Sequence, residues 1–144
     1  MVTRSASPWP VASNSAREVS LCDDAWIVRQ TLLIVDDHED FRSSARTLLE
    51  LEGFDVVGLA EDGEAALEAV AQLHPDVVLL DVQLPGMDGF DVARRLAAGT
   101  DGPQVVLISS RDRSAYTAQL RDAQVSGFLG KGELSGAALH ALVA

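Results

Sequence analysis

From Thr31 onward the chain alternates short apolar runs with amphipathic segments, and this alternation restricts its fold more than any other feature. "TLLIV" (Thr31–Val35), "DVVGLA" (Asp55–Ala60), "VVLLD" (Val77–Asp81), "QVVLIS" (Gln104–Ser109) and "GFLG" (Gly127–Gly130) read as five strands. "VVLLD" is apolar at four successive positions, as a central parallel strand buried on both faces must be. Between the strands, Phe41, Ala45, Leu48 and Leu49 form one helical stripe, ended by Gly53. Ala66, Val70 and Leu73 form a second, with Asp62 as cap and Pro75 as stop. A third helix is predicted over 90–98 before the Gly102-Pro103 break, and a fourth over 114–123 with Tyr116, Leu120 and Ala123 aligned. Ser135 caps a fifth, with Leu134 and Leu139 as its hydrophobic staple. Five strands and five helices in strict alternation imply right-handed crossovers and an α/β fold whose parallel sheet is covered on both faces.

Composition narrows the function classes. At 144 residues and 47% hydrophobic, the chain fits one domain with its own core. With 22 acidic against 11 basic side chains, its field repels nucleic acid and anionic lipid, so neither direct nucleic-acid binding nor membrane binding is expected. The single cysteine, Cys22, has no internal disulfide partner, and no Cys/His spacing resembles a zinc site. No apolar run approaches the roughly 20 residues that span a bilayer, and the first residues lack a signal-peptide core. The expected location is cytoplasmic. Residues 1–28, rich in Ser, Ala and Pro at their start and without period, read as a flexible extension ahead of a domain over 29–144, with Trp26 packing near the first strand.

In open parallel α/β sheets the functional crevice lies outside the carboxyl ends of the strands, where strand order reverses. The first strand runs into Asp36 and Asp37, the third ends in Asp81, the fourth in Ser109 and Ser110, and the fifth runs into Lys131. Lys131 is the only lysine, against ten arginines. Taken alone, an acidic residue at a strand end is usually a helix cap, and Ser110 is the expected cap of the fourth helix. Three carboxylates in one pocket, however, need raised pKa values or a cation. Mg²⁺, a hard ion held by one or two carboxylates plus a phosphate oxygen, answers that need. Asp81, leaving the most buried strand, is then placed to act as a nucleophile toward phosphorus. Lys131 offers a compact point charge, and Ser109 a small hydroxyl, for the transferring group.

These residues resemble the receiver domain of two-component response regulators, from about residue 30 to the C-terminus. The likeness rests on "LLIVDDHEDFR", "AEDGEAAL", "VVLLDVQLPGMDG", "VVLISS" and "GFLGK" in order. Their separations fit as well: 44 residues from Asp37 to Asp81, 28 to Ser109 and 22 more to Lys131. The resemblance implies a flavodoxin-like (βα)5 doubly wound sheet of order 2-1-3-4-5. It also implies phosphoryl transfer from a sensor histidine kinase or histidine phosphotransfer protein, with no turnover of a separate substrate. Asp81 matches the phosphoacceptor, Asp37 and Asp81 the side-chain metal ligands, Asp36 the other acidic-pocket position, and Gln83 the backbone carbonyl on the metal. Ser109 matches the switch hydroxyl, Phe128 the switch aromatic and Lys131 the phosphate-pairing lysine. Gln83 and Arg111 stand where family members tune phosphoryl lifetime, and bulky Arg111 is expected to shield the acyl phosphate. A downstream protein would read the face of the fourth helix, fifth strand and fifth helix, and a weak homodimer is compatible with that.

Gly132 replaces the proline that follows the lysine in many receivers, so a cis bond there is not expected, and "GFLGKGEL" looks most like regulators with a helix-turn-helix output domain. No such helix pair follows. The reading is a stand-alone receiver, with a non-phosphorylated pseudo-receiver and a truncated DNA-binding regulator as alternatives. A phosphatase of the haloacid dehalogenase type needs a carboxylate where Gln83 stands, and a nucleotide module needs a Gly-rich loop that the first strand lacks.

Overall fold

The two strands that run wholly through apolar surroundings hold the middle of the sheet. The computed structural model describes residues 29–98 and 102–143, so the extension expected over 1–28 lies outside the described residues. The strands are β1 (Thr31–Val35), β2 (Asp55–Ala60), β3 (Val77–Asp81), β4 (Gln104–Ser109) and β5 (Gly127–Gly130). They form one sheet in the order β2-β1-β3-β4-β5, every neighbouring pair parallel. All five residues of β1 and of β3 are buried. Strand order reverses between β1 and β3, which places the crevice at their carboxyl ends, as expected.

Because successive strand side chains point to opposite faces, each strand feeds two cores. On one side Leu32, Ile34, Leu79 and Ile108 pack with Ala45, Leu49 and Leu139, residues of helices α1 (Glu39–Leu51) and α5 (Gly136–Leu142). On the other side Leu33, Val35, Leu80 and Leu107 meet Ala66, Ala69 and Phe90, from α2 (Gly63–Leu73) and α3 (Gly89–Ala97). Tyr116 and Phe128 belong to this second core.

Helix starts follow the sequence. The Asp62 carboxylate accepts from Ala65 N at 2.8 Å, and Ser135 Oγ accepts from Ala138 N at 3.0 Å. Leu134 packs against the core containing Leu139, as the expected staple requires. Helix α2 closes on His74 in the left-handed region, φ 48°, one residue before Pro75.

One expectation fails. The helix predicted over 114–123 is broken into a 3-10 turn, Arg113–Tyr116, and a six-residue α4, Thr117–Asp122. Asp112, not Ser110, caps it, its side chain accepting from Arg113 N at 3.0 Å. The physical reason is burial: α4 has no buried residue and cannot nucleate a long helix alone, whereas the tighter turn carries Tyr116 into the core. A second 3-10 turn, Lys131–Glu133, follows β5, with Gly130 N donating to Glu133 Oε1 at 3.0 Å.

Candidate functional site

The strand lengths deliver four polar side chains to the carboxyl edge, three of them buried. Asp36 follows β1 directly and is fully buried, while Asp81 closes β3 and Ser109 closes β4, at 3% and 1% exposure. Lys131 follows β5, and its Nζ lies 2.7 Å from Asp36 Oδ2 and 3.3 Å from Asp81 Oδ2. Unpaired carboxylates at this depth would be costly, and the ammonium supplies the opposing charge. The same Nζ stands 4.7 Å from the centroid of the Phe41 ring, on the first turn of α1, a cation–π contact that fixes the lysine from its other side.

Burial and the adjacent Asp36 carboxylate push the Asp81 carboxyl up to about 6, against the pull of Lys131 and of the Gln83 N–H. Burial alone would lower Lys131, but its hydrogen bond and charge interactions with Asp36 and Asp81 prevail and hold the ammonium above the ordinary lysine value. The pocket thus keeps its lysine charged and holds its central carboxylate near the edge of protonation.

Asp36, Asp37, His38 and Asp81 each bring a ligand atom within 4.8 Å of the others. The three carboxylates, two of them buried, form an oxygen donor set that suits a hard divalent cation, with the His38 imidazole beside them. Asp37 and His38 are the solvent-facing members, and His38 Nδ1 lies 3.0 Å from both Asp36 Oδ1 and Asp37 Oδ1. The His38 backbone N–H also donates to Asp36 Oδ1 at 2.8 Å, and Arg42 Nη1 donates to the Asp36 carbonyl at 2.6 Å, locking the turn after β1.

Across the pocket, Ser109 Oγ accepts from Arg111 N at 3.0 Å and shares a buried hydrogen bond of 3.1 Å with the Tyr116 hydroxyl. Phe128 is buried on β5, its ring 6.0 Å from that of Tyr116. Gln83 is exposed, and its N–H donates to Asp81 Oδ1 at 3.2 Å. Arg111 is exposed and lines, with Ser109, Phe128 and Lys131, an open cleft of about 550 Å³ beside the pocket. The Lys131–Gly132 peptide bond is trans.

Seven of the eight residues to which the sequence assigns a role therefore lie on this edge, while Phe128 lies within β5 and borders the adjoining cleft. Three others escaped notice. His38 was overshadowed by the acidic pair it adjoins, although the run "DDH" was visible. Phe41 and Tyr116 were counted only as members of apolar helical stripes, and nothing in a period of 3.6 announces that one faces an ammonium and the other a serine.

A family model for the response regulator receiver domain matches residues 32–144. The response regulator GacA of Pseudomonas aeruginosa is 36% identical over 102 residues, covering 70% of this chain and 48% of that protein. The DNA-binding response regulator MtrA of Mycolicibacterium smegmatis is 45% identical over 85 residues, covering 59% of this chain and 37% of that one. The chain spans about half or less of the length of these curated relatives, 48% of GacA and 37% of MtrA. Among solved structures, the signal receiver domain of NarL from Mycobacterium tuberculosis matches with a TM-score of 0.70 at 38% identity, over 79% of this chain and 96% of that one. No helix among the described residues is long and apolar enough to cross a membrane. The chain belongs to the response regulator receiver domain family, the signalling modules of two-component systems.

Proposed function

We propose that this receiver accepts a phosphoryl group onto Asp81 from the phosphohistidine of a sensor histidine kinase or histidine phosphotransfer protein. The observation that carries the reading is the single ammonium of Lys131 spanning the buried Asp36 and Asp81 carboxylates at the carboxyl edge. An Asp81 carboxylate oxygen attacks phosphorus as the donor's P–N bond breaks, the electron pair leaving with the imidazole nitrogen. An O–P bond forms, and Asp81 becomes an acyl phosphate. Lys131, already within reach of Asp81, transfers its contact from carboxylate to phosphoryl oxygen.

Asp37 and Asp81, the Gln83 backbone carbonyl, and Asp36 acting through bound water would hold Mg²⁺. When bound, this ion neutralises negative charge on the acidic cluster and the incoming phosphoryl group. Ser109 turns toward the phosphoryl oxygens, Phe128 takes the space it leaves, and the face of α4, β5 and α5 changes for a downstream protein. The only chemistry assigned to the domain is its own phosphorylation and dephosphorylation. The receiver unit runs over 29–144, preceded by an extension over 1–28. Net charge of −11 favours protein partners over nucleic acid or membrane, in keeping with a cytoplasmic setting.

Transfer from a phosphorylated histidine phosphotransfer protein, followed by hydroxylamine treatment, tests the assignment. An adduct that hydroxylamine removes and that Asp81→Ala never forms is expected. A hydroxylamine-stable adduct, or one surviving Asp81→Ala, contradicts it.

A further inference from the structure

The Arg113–Tyr116 turn touches both residues assigned to the switch. Tyr116 is 7% exposed, and its ring is wedged between Phe90 and Phe128, with centroids 5.8 and 6.0 Å away. Its hydroxyl reaches back to Ser109 Oγ at 3.1 Å in a buried contact. At the other end of the turn, the Arg113 guanidinium stands 5.7 Å from the centroid of the Phe128 ring, and Nη2 donates to the Phe128 carbonyl at 3.4 Å. One short turn thus holds the serine by a hydroxyl and the aromatic by a ring and a cation.

Ser109 has one proton and few ways to satisfy its oxygen at 1% exposure. Its hydroxyl already accepts from Arg111 N and is shared with Tyr116. A swing of Ser109 Oγ toward a phosphoryl group on Asp81 competes with its 3.1 Å contact to the Tyr116 hydroxyl for the same oxygen and proton. A buried phenol left without its partner is penalised, so the hydrogen bond favours the unphosphorylated arrangement. The turn is suited to give way. It is a 3-10 segment leading into a six-residue helix, and across both only Tyr116 is buried, so the segment is anchored at that one residue.

We propose that Tyr116 is a positioning residue that latches Ser109 in the unphosphorylated state, and that its release couples the serine's movement to loosening of the Arg113–Tyr116 turn. The latch rests on the reading of Ser109 as the switch hydroxyl. It names the residue that this movement displaces. Arg113 serves the same end by covering Phe128 until the turn loosens.

The test is binding of beryllofluoride, a phosphoryl mimic, with Mg²⁺ to wild type and Tyr116→Phe, which deletes the hydroxyl and keeps the ring. Losing one neutral hydrogen bond from the inactive state should tighten binding about two- to tenfold. Faster amide exchange over residues 113–116 of the unliganded variant should accompany it. In a Ser109→Ala background, Tyr116→Phe should have no further effect, because the latch has nothing to hold. Unchanged or weaker binding by Tyr116→Phe, with wild-type binding intact, overturns the latch and leaves the phosphoacceptor reading standing. An equal gain in the Ser109→Ala background also overturns it, since the ring alone would then be responsible. Failure of wild type to bind the mimic removes both.

Discussion

Lys131 Nζ lies 2.7 Å from Asp36 Oδ2 and 3.3 Å from Asp81 Oδ2, so one ammonium spans two buried carboxylates carried by different strands. Removing it leaves both acids facing each other without the ammonium that bridges them. Lys131→Ala should therefore destabilise the metal-free protein by on the order of 3 kcal/mol, as loss of one member of a buried ion pair does. Urea unfolding in the presence of a chelator measures this, and a variant as stable as wild type contradicts the pairing.

The Asp81 carboxyl, raised from 3.8 to about 6 by burial and Asp36, gives the metal-free protein a pH-dependent stability. A folded-state pKa above the unfolded value means that folding favours the protonated acid. The contribution is complete below about 4 and is lost as pH rises through about 6. Thermal unfolding with chelator at pH 5 and pH 8 should show wild type losing stability across this window, and Asp81→Asn losing less. Adding Mg²⁺ at pH 8 should restore stability to wild type by mass action, and much less to Asp81→Asn. Parallel pH profiles for the two proteins would contradict the assignment.

Gly89 opens α3 with its N–H on the Val82 carbonyl at 2.8 Å. A Cβ there would run into the Asp81 carbonyl oxygen and come within 2.8 Å of Val82 Cα. Gly89→Ala must push α3 away from the acceptor's own backbone, at a cost of about 1–3 kcal/mol by analogy with overpacked cores. Phosphorylation should slow along with it. Wild-type stability and rate in this variant would show that the close approach is slack.

Arg111 is exposed on the cleft that Lys131 and Ser109 also line. We propose that its side chain covers the path of water to an acyl phosphate; its backbone N–H donates to Ser109 Oγ. Arg111→Ala keeps that N–H and removes the cover, so dephosphorylation should accelerate. Loss of labelled phosphate over time checks this, and an unchanged or slower rate contradicts it.

The strands and the polar residues at their ends were legible because a buried parallel strand has little freedom: its apolar run fixes where it stops. The residue at the stop is then at the edge. Asp36, Asp81, Ser109 and Lys131 were all found this way. Helix α4 was misjudged because Tyr116, Leu120 and Ala123 satisfy helical spacing whether or not the segment begins as a 3-10 turn. What decides the matter is Tyr116 packing between Phe90 and Phe128, which lie 26 residues before it and 12 after it in sequence. His38 and Phe41 were hidden for a related reason, since their importance lies in what tertiary packing brings opposite them.

The central claim is that Asp81 becomes phosphorylated in a metal-dependent reaction. Incubation with acetyl phosphate, with and without Mg²⁺, read by intact mass, tests it most directly. The account predicts one phosphoryl adduct that requires Mg²⁺ and vanishes in Asp81→Ala. A folded wild-type protein that gains no mass, or an adduct that persists without Asp81, would contradict it.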